Sequence, residues 1–269
     1  MRTMGMQVGQ MLARIREQRP LIHHITNLVV MNDTANITLM VGASPVMAHA
    51  AEEAAEMASM AGALVLNPGT LTREWVESMM IAGRQANNFK VPIVLDPVGA
   101  GATSFRMRSN QQMLDGLSLQ VVRGNAGEIG SLSGLGGTVK GVDSVEAASE
   151  PDVVARHMAR ERSTVVAITG QRDVISDGTR TLGVDNGHPW LTHLTGTGCM
   201  ATAMIAAFAA VERDYLVAAA GALATYGLAA ELAAERTSGP ASFKVALFDH
   251  LYHLTPEQVA GGVRIVEMG

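Results

Sequence analysis

Thr195-Gly196-Thr197-Gly198-Cys199 places two glycines, two hydroxyls and the only cysteine of the chain just ahead of an Ala-rich stretch with helical character. Glycine lets a backbone approach a ligand closely and take up positive φ. A helix starting near Met200 would aim free N–H groups and its positive dipole end at this loop. Such a turn, Gly196 to Cys199, suits an anion such as phosphate. It is not a Walker A loop, because no Gly-Lys-Ser/Thr follows. The alternative is a tight turn before a buried helix, with Cys199 a small core residue. A helix N-terminus also lowers a thiol pKa. That leaves Cys199 either a nucleophile or a base or positioning group where a hydroxyl meets a phosphoryl. A nucleophile needs an orienting histidine, and neither His188 nor His193 stands at a spacing that marks one.

Further candidates recur at the ends of apolar runs. Asp96-Pro97-Val98-Gly99 closes the run VPIVL, and its carboxylate could help hold Mg²⁺. The alternative is an N-cap for a helix near Ser104, a task that Ser104 itself would serve better. Arg123 could clamp a phosphate oxygen. Asn125 and Glu128, three apart, can face one site from a first helical turn. Glu128 could reach Mg²⁺ through water, or could simply favour the helix start. Thr169-Gly170 ends STVVAIT, and its hydroxyl and bare backbone suit nucleotide contacts; the alternative is that it is only a turn, as most Thr-Gly pairs are. His23 and His24 alternate across a strand and cannot share a metal face. Packing or a hydrogen bond is expected of them. Met47, one of 17 methionines, reads as core by count.

The elements that position these residues alternate in type. The apolar runs 21–27, 63–71, 91–105, 119–129 and 163–173 each end in a polar or Gly-rich turn, and Asn67 lies at such an end too. Helical segments are expected over 33–40, 50–61, 73–87, 104–114 and 151–161. This alternation predicts βαβ units and a mainly parallel sheet covered on both faces. Asp177-Gly178 between two β-like runs marks a hairpin. Two long Ala-rich helices then complete the core. The fold expected over residues 1–269 is one three-layer α/β/α domain with a mainly parallel central sheet and an antiparallel edge hairpin. Ligands of such sheets bind beyond the carboxyl ends of the strands.

Composition narrows the function classes. With 48% apolar and 17% charged residues the chain can bury a large core. A net charge of −5 offers no basic patch for nucleic acid. A single cysteine excludes an internal disulfide and fits a reducing cytoplasm. No signal-peptide pattern is seen at the N-terminus. The apolar stretch Leu216–Ala230 falls short of the roughly 20 residues of a membrane span, so buried helices are expected there.

The segments ITNLVVMNDTANITLMVGASPVM, LNPGTL, LDPVGAGATSFR, VVRGNAGEI, KGVDS, VAITG and LTGTGC occur in one order. Together, from about Ile22 to beyond Phe208, they resemble hydroxyethylthiazole kinases of the ribokinase-like superfamily. In that superfamily the anion turn generally reads Gly-Thr-Gly-Asp, and cysteine at Cys199 marks this family. The resemblance implies transfer of phosphate from ATP to the primary alcohol of 4-methyl-5-(2-hydroxyethyl)thiazole in thiamine salvage. It implies that Met47 and Gly196 contact the thiazole, that Arg123 and Thr169 bind ATP, and that Asp96 and Glu128 serve Mg²⁺ and phosphate. It sets Cys199 at the catalytic base position, within a homotrimer whose sites lie between subunits. The rival readings are a cysteine-nucleophile transferase or hydrolase, a nucleotide sensor without turnover, and a kinase of hydroxymethylpyrimidine or a pyridoxal-like alcohol. The residues after Pro240 add no further signal.

Overall fold

The computed structural model describes residues 2–135, 138–140, 143–146 and 150–269. The strands are β1 (Leu21–Ile25), β2 (Ser44–Val46), β3 (Ala63–Leu66), β4 (Ile93–Leu95), β5 (Val121–Asn125), β6 (Thr138–Lys140), β7 (Asp143–Glu146), β8 (Val165–Thr169), β9 (Asp173–Ser176), β10 (Thr181–Val184) and β11 (Ile265–Met268). The helices are α1 (Arg2–Gln18), α2 (Met31–Val41), α3 (Ala51–Met60), α4 (Arg73–Asn88), α5 (Ser104–Gly116), α6 (Ala126–Ser133), α7 (Pro151–Arg162), α8 (Thr197–Val211), α9 (Tyr215–Ala234), α10 (Pro240–His253) and α11 (Pro256–Gly262).

Nine strands form one sheet in the order β11-β10-β9-β8-β5-β4-β3-β1-β2, while β6 and β7 pair separately. From β2 to β8 the pairings are parallel. β9, β10 and β11 each join antiparallel. Side chains alternate across the sheet. Ala63 and Val65 of β3 enter one core with α1, α2, α8, α9, α10 and α11. Leu64 and Leu66 enter the other, with α3 to α7. The result is the expected three-layer α/β/α arrangement. Its parallel strands are buried on both faces, which is why they read as continuous apolar runs.

The hairpin expected at Asp177-Gly178 joins β9 to β10, with Gly178 at φ +89. Several boundaries differ from expectation. Thr103, not Ser104, caps α5, accepting from the Arg106 N–H at 3.2 Å. α8 begins at Thr197, about one turn before Met200, so Cys199 lies inside its first turn. α9 extends to 20 residues, long and apolar enough to cross a membrane, yet 89% of its apolar window is buried in this fold. β2 and β11 carry no distinct sequence signal, whereas α1, not anticipated, has its buried Val8, Met11, Leu12 and Ile15 at helical spacing. β2 is three half-buried residues including Pro45, and β11 draws its order from pairing with β10. The residues after Pro240 thus build part of the core and one sheet edge. Gly141 and Val142 of the KGVDS segment lie outside the described residues.

Register brings the strand ends together. Ile25 stands beside Leu66, Leu66 beside Leu95, Leu95 beside Val122 and Asn125 beside Thr169. The residues that follow each strand therefore meet along one rim of the sheet, and α8 starts over that rim.

Candidate functional site

Gly196 caps α8 with φ +88, and a Cβ there would stand 2.7 Å from Cγ1 of Val30. Both the left-handed backbone and the close approach require glycine. The cap uses no side chain, so the first N–H groups of α8 remain directed outward. Thr197 instead turns its hydroxyl back to the carbonyls of Leu191 and Leu194, at 2.8 and 3.3 Å.

Cys199 is a free, partly covered thiol. Its sulfur accepts from Asn67 Nδ2 at 3.2 Å and from Asn27 Nδ2 at 3.7 Å. Burial first, and the nearby Asp96 carboxylate second, push the thiol up to about 12. The lowering expected from a helix N-terminus is not found: burial and the Asp96 charge raise the thiol instead. As their spacing indicated, neither His188 nor His193 orients the sulfur among the described residues. His188 accepts from the Trp190 N–H and packs against Trp190 and Phe243, and His193 ends the same 3₁₀ turn.

Beneath the turn lies Asp96, fully buried at the end of β4. It does not cap α5. Its Oδ2 accepts from Asn67 Nδ2 at 2.9 Å and from the Thr202 hydroxyl at 3.0 Å, and its Oδ1 faces Arg123 Nη1 at 3.5 Å. Burial still raises its pKa against the pull of Arg123. Arg123 is itself 8% exposed and donates to the Thr169 hydroxyl. Its Nε is buried without an acceptor among the described residues. A Cβ on Gly198 would lie 2.6 Å from Arg123 Nη1. The anion turn, Asp96, Arg123 and Thr169 are thus one assembly.

Glu128 joins it from α6. It forms a capping box with Asn125: the Glu128 N–H donates to Asn125 Oδ1 at 2.9 Å, and the Asn125 N–H to Glu128 Oε2 at 3.0 Å. Oε1 accepts from the Gly99 N–H at 2.7 Å. The helix-start role and a site role coexist here. Burial and the Asp96 charge both raise the Glu128 pKa. Two buried carboxylates, both raised by burial and one of them also by the charge of the other, mark a place where a cation would be welcome. Each retains spare lone pairs. Among the described residues no group of three or more His, Cys, Asp or Glu side chains gathers as a metal cluster. This donor set fits Mg²⁺, which takes one or two carboxylates and otherwise water and substrate phosphates.

Met47 is half-buried and outside both core clusters, contrary to its reading as core. It follows β2 in a loop tied to the end of β1: His23 Nε2 meets the Ala48 carbonyl at 2.8 Å, and the Thr26 N–H donates to His49 Nε2 at 3.2 Å. His24 bonds Thr38 at 3.3 Å. Both adjacent histidines are buried and hydrogen-bonded, as expected of them. Sequence reasoning missed Asn27 and Thr202. Asn27 lay in the quoted ITN run, and Thr202 stands one helical turn after Gly198.

The profile of the Hydroxyethylthiazole kinase family matches residues 12–257. The chain belongs to this family. It is 68% identical over 263 residues to the hydroxyethylthiazole kinase of Roseiflexus sp. (strain RS-1), covering 98% of this chain and 97% of that one. It is 64% identical to the hydroxyethylthiazole kinase of Desulforudis audaxviator (strain MP104C), covering 94% and 93%. Among solved structures, the hydroxyethylthiazole kinase protein from Pyrococcus horikoshii OT3 superposes with a TM-score of 0.90 at 46% identity, covering 98% and 99%. A pyridoxal kinase from Staphylococcus aureus shares the fold, with a TM-score of 0.57 at 16% identity over 78% of this chain and 86% of that one. The hydroxyethylthiazole kinase family and the ribokinase-like architecture expected from the ordered segments both hold.

Proposed function

We propose that the chain phosphorylates the primary hydroxyl of 4-methyl-5-(2-hydroxyethyl)thiazole with ATP, in thiamine salvage. The observation that carries this reading is the union of two features: an uncapped helix start at Gly196–Cys199 and a buried Asp96–Arg123 pair directly beneath it. Main-chain N–H groups of the turn would hold the migrating phosphoryl, and Arg123 would offset its charge. Phosphoryl transfer needs positioning and charge stabilisation more than covalent help.

Arg123 and Thr169 would bind ATP, a role supported by the spare Nε of Arg123. Met47 and Gly196 would contact the thiazole, a role supported by the half-buried setting of Met47. Asp96 and Glu128 would hold Mg²⁺, partly through water. When bound, that ion would draw charge from the phosphate oxygens. Cys199 would stand beside the substrate hydroxyl. With its thiol pushed up to about 12, positioning the alcohol suits it better than taking its proton before transfer.

A homotrimer with intersubunit sites is part of the same reading. Leu28 and Val29, next to Asn27, are 63% and 65% exposed, and a second subunit would cover them. A cytoplasmic setting agrees with the unpaired thiol at the site. The test is ADP release with the thiazole alcohol, hydroxymethylpyrimidine and pyridoxal side by side. Turnover is expected with the thiazole. Preference for either other alcohol would reassign the substrate, and nucleotide binding without turnover on all three would leave a sensor.

A further inference from the structure

Asn67 is 1% exposed, and its carboxamide is fully used. Its two N–H bonds reach Asp96 Oδ2 at 2.9 Å and Cys199 Sγ at 3.2 Å. Its Oδ1 accepts from Asn27 Nδ2 at 2.8 Å and from the Gly69 N–H at 3.1 Å. Two donors and two acceptor positions are all that a carboxamide has. Each is matched by a partner of the right kind, so the amide has one orientation.

Asn27 is fixed in turn. Its Oδ1 accepts from the Val29 N–H at 3.1 Å, and a Cβ on Gly69 would lie within 2.8 Å of the Asn27 side-chain carbons. Both asparagines donate to the sulfur, from the ends of β1 and β3. The thiol in turn is hydrogen-bonded to the Asp96 carboxylate. The lone thiol and the buried carboxylate are therefore held in register by one side chain. That side chain sits beneath the turn and does not compete for space above it.

We propose that Asn67 is a positioning residue for phosphoryl transfer, fixing the Cys199 sulfur relative to the Asp96 carboxylate so that the sulfur keeps its place beside the incoming alcohol. The proposal rests on the reading of Cys199 as the group beside the substrate hydroxyl. Misplacement of a group by about 1 Å can cost on the order of 100-fold in rate. Loss of Asn67 acts on the chemical step and leaves nucleotide binding in place.

The test compares Asn67→Asp with Asn67→Leu. Aspartate keeps the acceptor for Asn27 and Gly69 but cannot donate to the sulfur when ionised. Leucine keeps approximate size and removes both functions. For both folded variants we expect kcat with the thiazole alcohol to fall by at least about tenfold, as for loss of a hydrogen bond to a charged or reacting group. The KM for ATP should stay within about twofold, as for a loss confined to the chemical step. Because the chain has one cysteine, the S–H stretching band in its Raman spectrum reports Cys199 alone, and it should shift in both variants. Native kcat in Asn67→Asp would mean that Asn67 serves only as a scaffold and would overturn the proposal. So would an S–H band unmoved in whichever variant folds. Failure of the native protein to phosphorylate the thiazole would instead strike the function reading, and the S–H band would still decide whether Asn67 orients the thiol.

Discussion

Gly198 lies directly against Arg123: a Cβ on the glycine would be 2.6 Å from Nη1 and 2.9 Å from Nη2. The arginine cannot yield freely, because Asp96 and Thr169 hold its guanidinium. Gly198→Ala should therefore displace Arg123 from its partners while the helical backbone of α8 survives. We expect kcat/KM for ATP to fall at least tenfold, about 1.4 kcal/mol in transition-state binding. Steady-state kinetics with circular dichroism as a fold check would measure this. An alanine variant with native kinetics would show that Arg123 plays no part at the turn.

Cys199 carries two opposed expectations. Cys199→Ala should slow turnover without abolishing ATP binding, because the main-chain N–H groups of the turn remain. Cys199→Asp should keep substantial activity, since a carboxylate can also orient the alcohol there. A folded Cys199→Asp protein that binds ATP yet never turns over would favour covalent chemistry. Mass spectrometry would then find an adduct on the cysteine.

Arg123 and Asp96 form a buried ion pair, with the Asp96 side chain almost fully enclosed. Arg123→Met leaves that carboxylate without its cation. Removing one partner of such a pair typically costs about 3–5 kcal/mol. Urea denaturation at pH 7 should show a loss of this order. The loss should shrink as pH falls, because the pKa of Asp96 is already raised and the protonated form needs no cation.

Asp173, close enough to Arg123 to feel its charge, offers a pH test of stability. Burial pushes it up to about 6, against the Gly170 N–H it accepts at 3.0 Å. A folded pKa above the unfolded value means the group favours the fold below about pH 4, and that contribution is lost as pH rises through about 6. Asp173→Asn keeps the acceptor and removes the titration. The variant should match the native protein near pH 4 and exceed it in stability at pH 7.5, by thermal or urea unfolding. Equal stability at both pH values would show that Asp173 does not titrate in this range.

Particular residues explain how much was legible. β3, β4 and β8 could be read because both faces of each are buried and their residues are apolar up to the strand end, and β5 because Val121 and Val122 continue the same pattern ahead of Arg123. Asp96, Arg123, Glu128 and Thr169 could be read because chain reversals leave polar groups where apolar runs stop. Asn27 and Thr202 were hidden because their role depends on distance in space: Asn27 lies 172 residues from Cys199, and Thr202 lies 106 from Asp96. The acidity of Cys199 failed for a related reason. Its position at a helix start is local and visible, but the Asp96 charge and the burial that dominate it are products of the fold. β2 and β11 had no signal of their own, since each owes its strand character to a neighbour.

The two flanks of the nine-stranded sheet have a bearing on solubility. On one side β2 is only three residues long and carries Pro45, which has no N–H to offer an approaching strand. On the other, β11 sets the carboxylate of Glu267 in the outermost position, and that residue is exposed. Short length, proline and charge are the means by which sheet borders avoid fibril-like growth. Both borders are blunted in this way, so concentrated enzyme should resist strand-by-strand aggregation through this sheet.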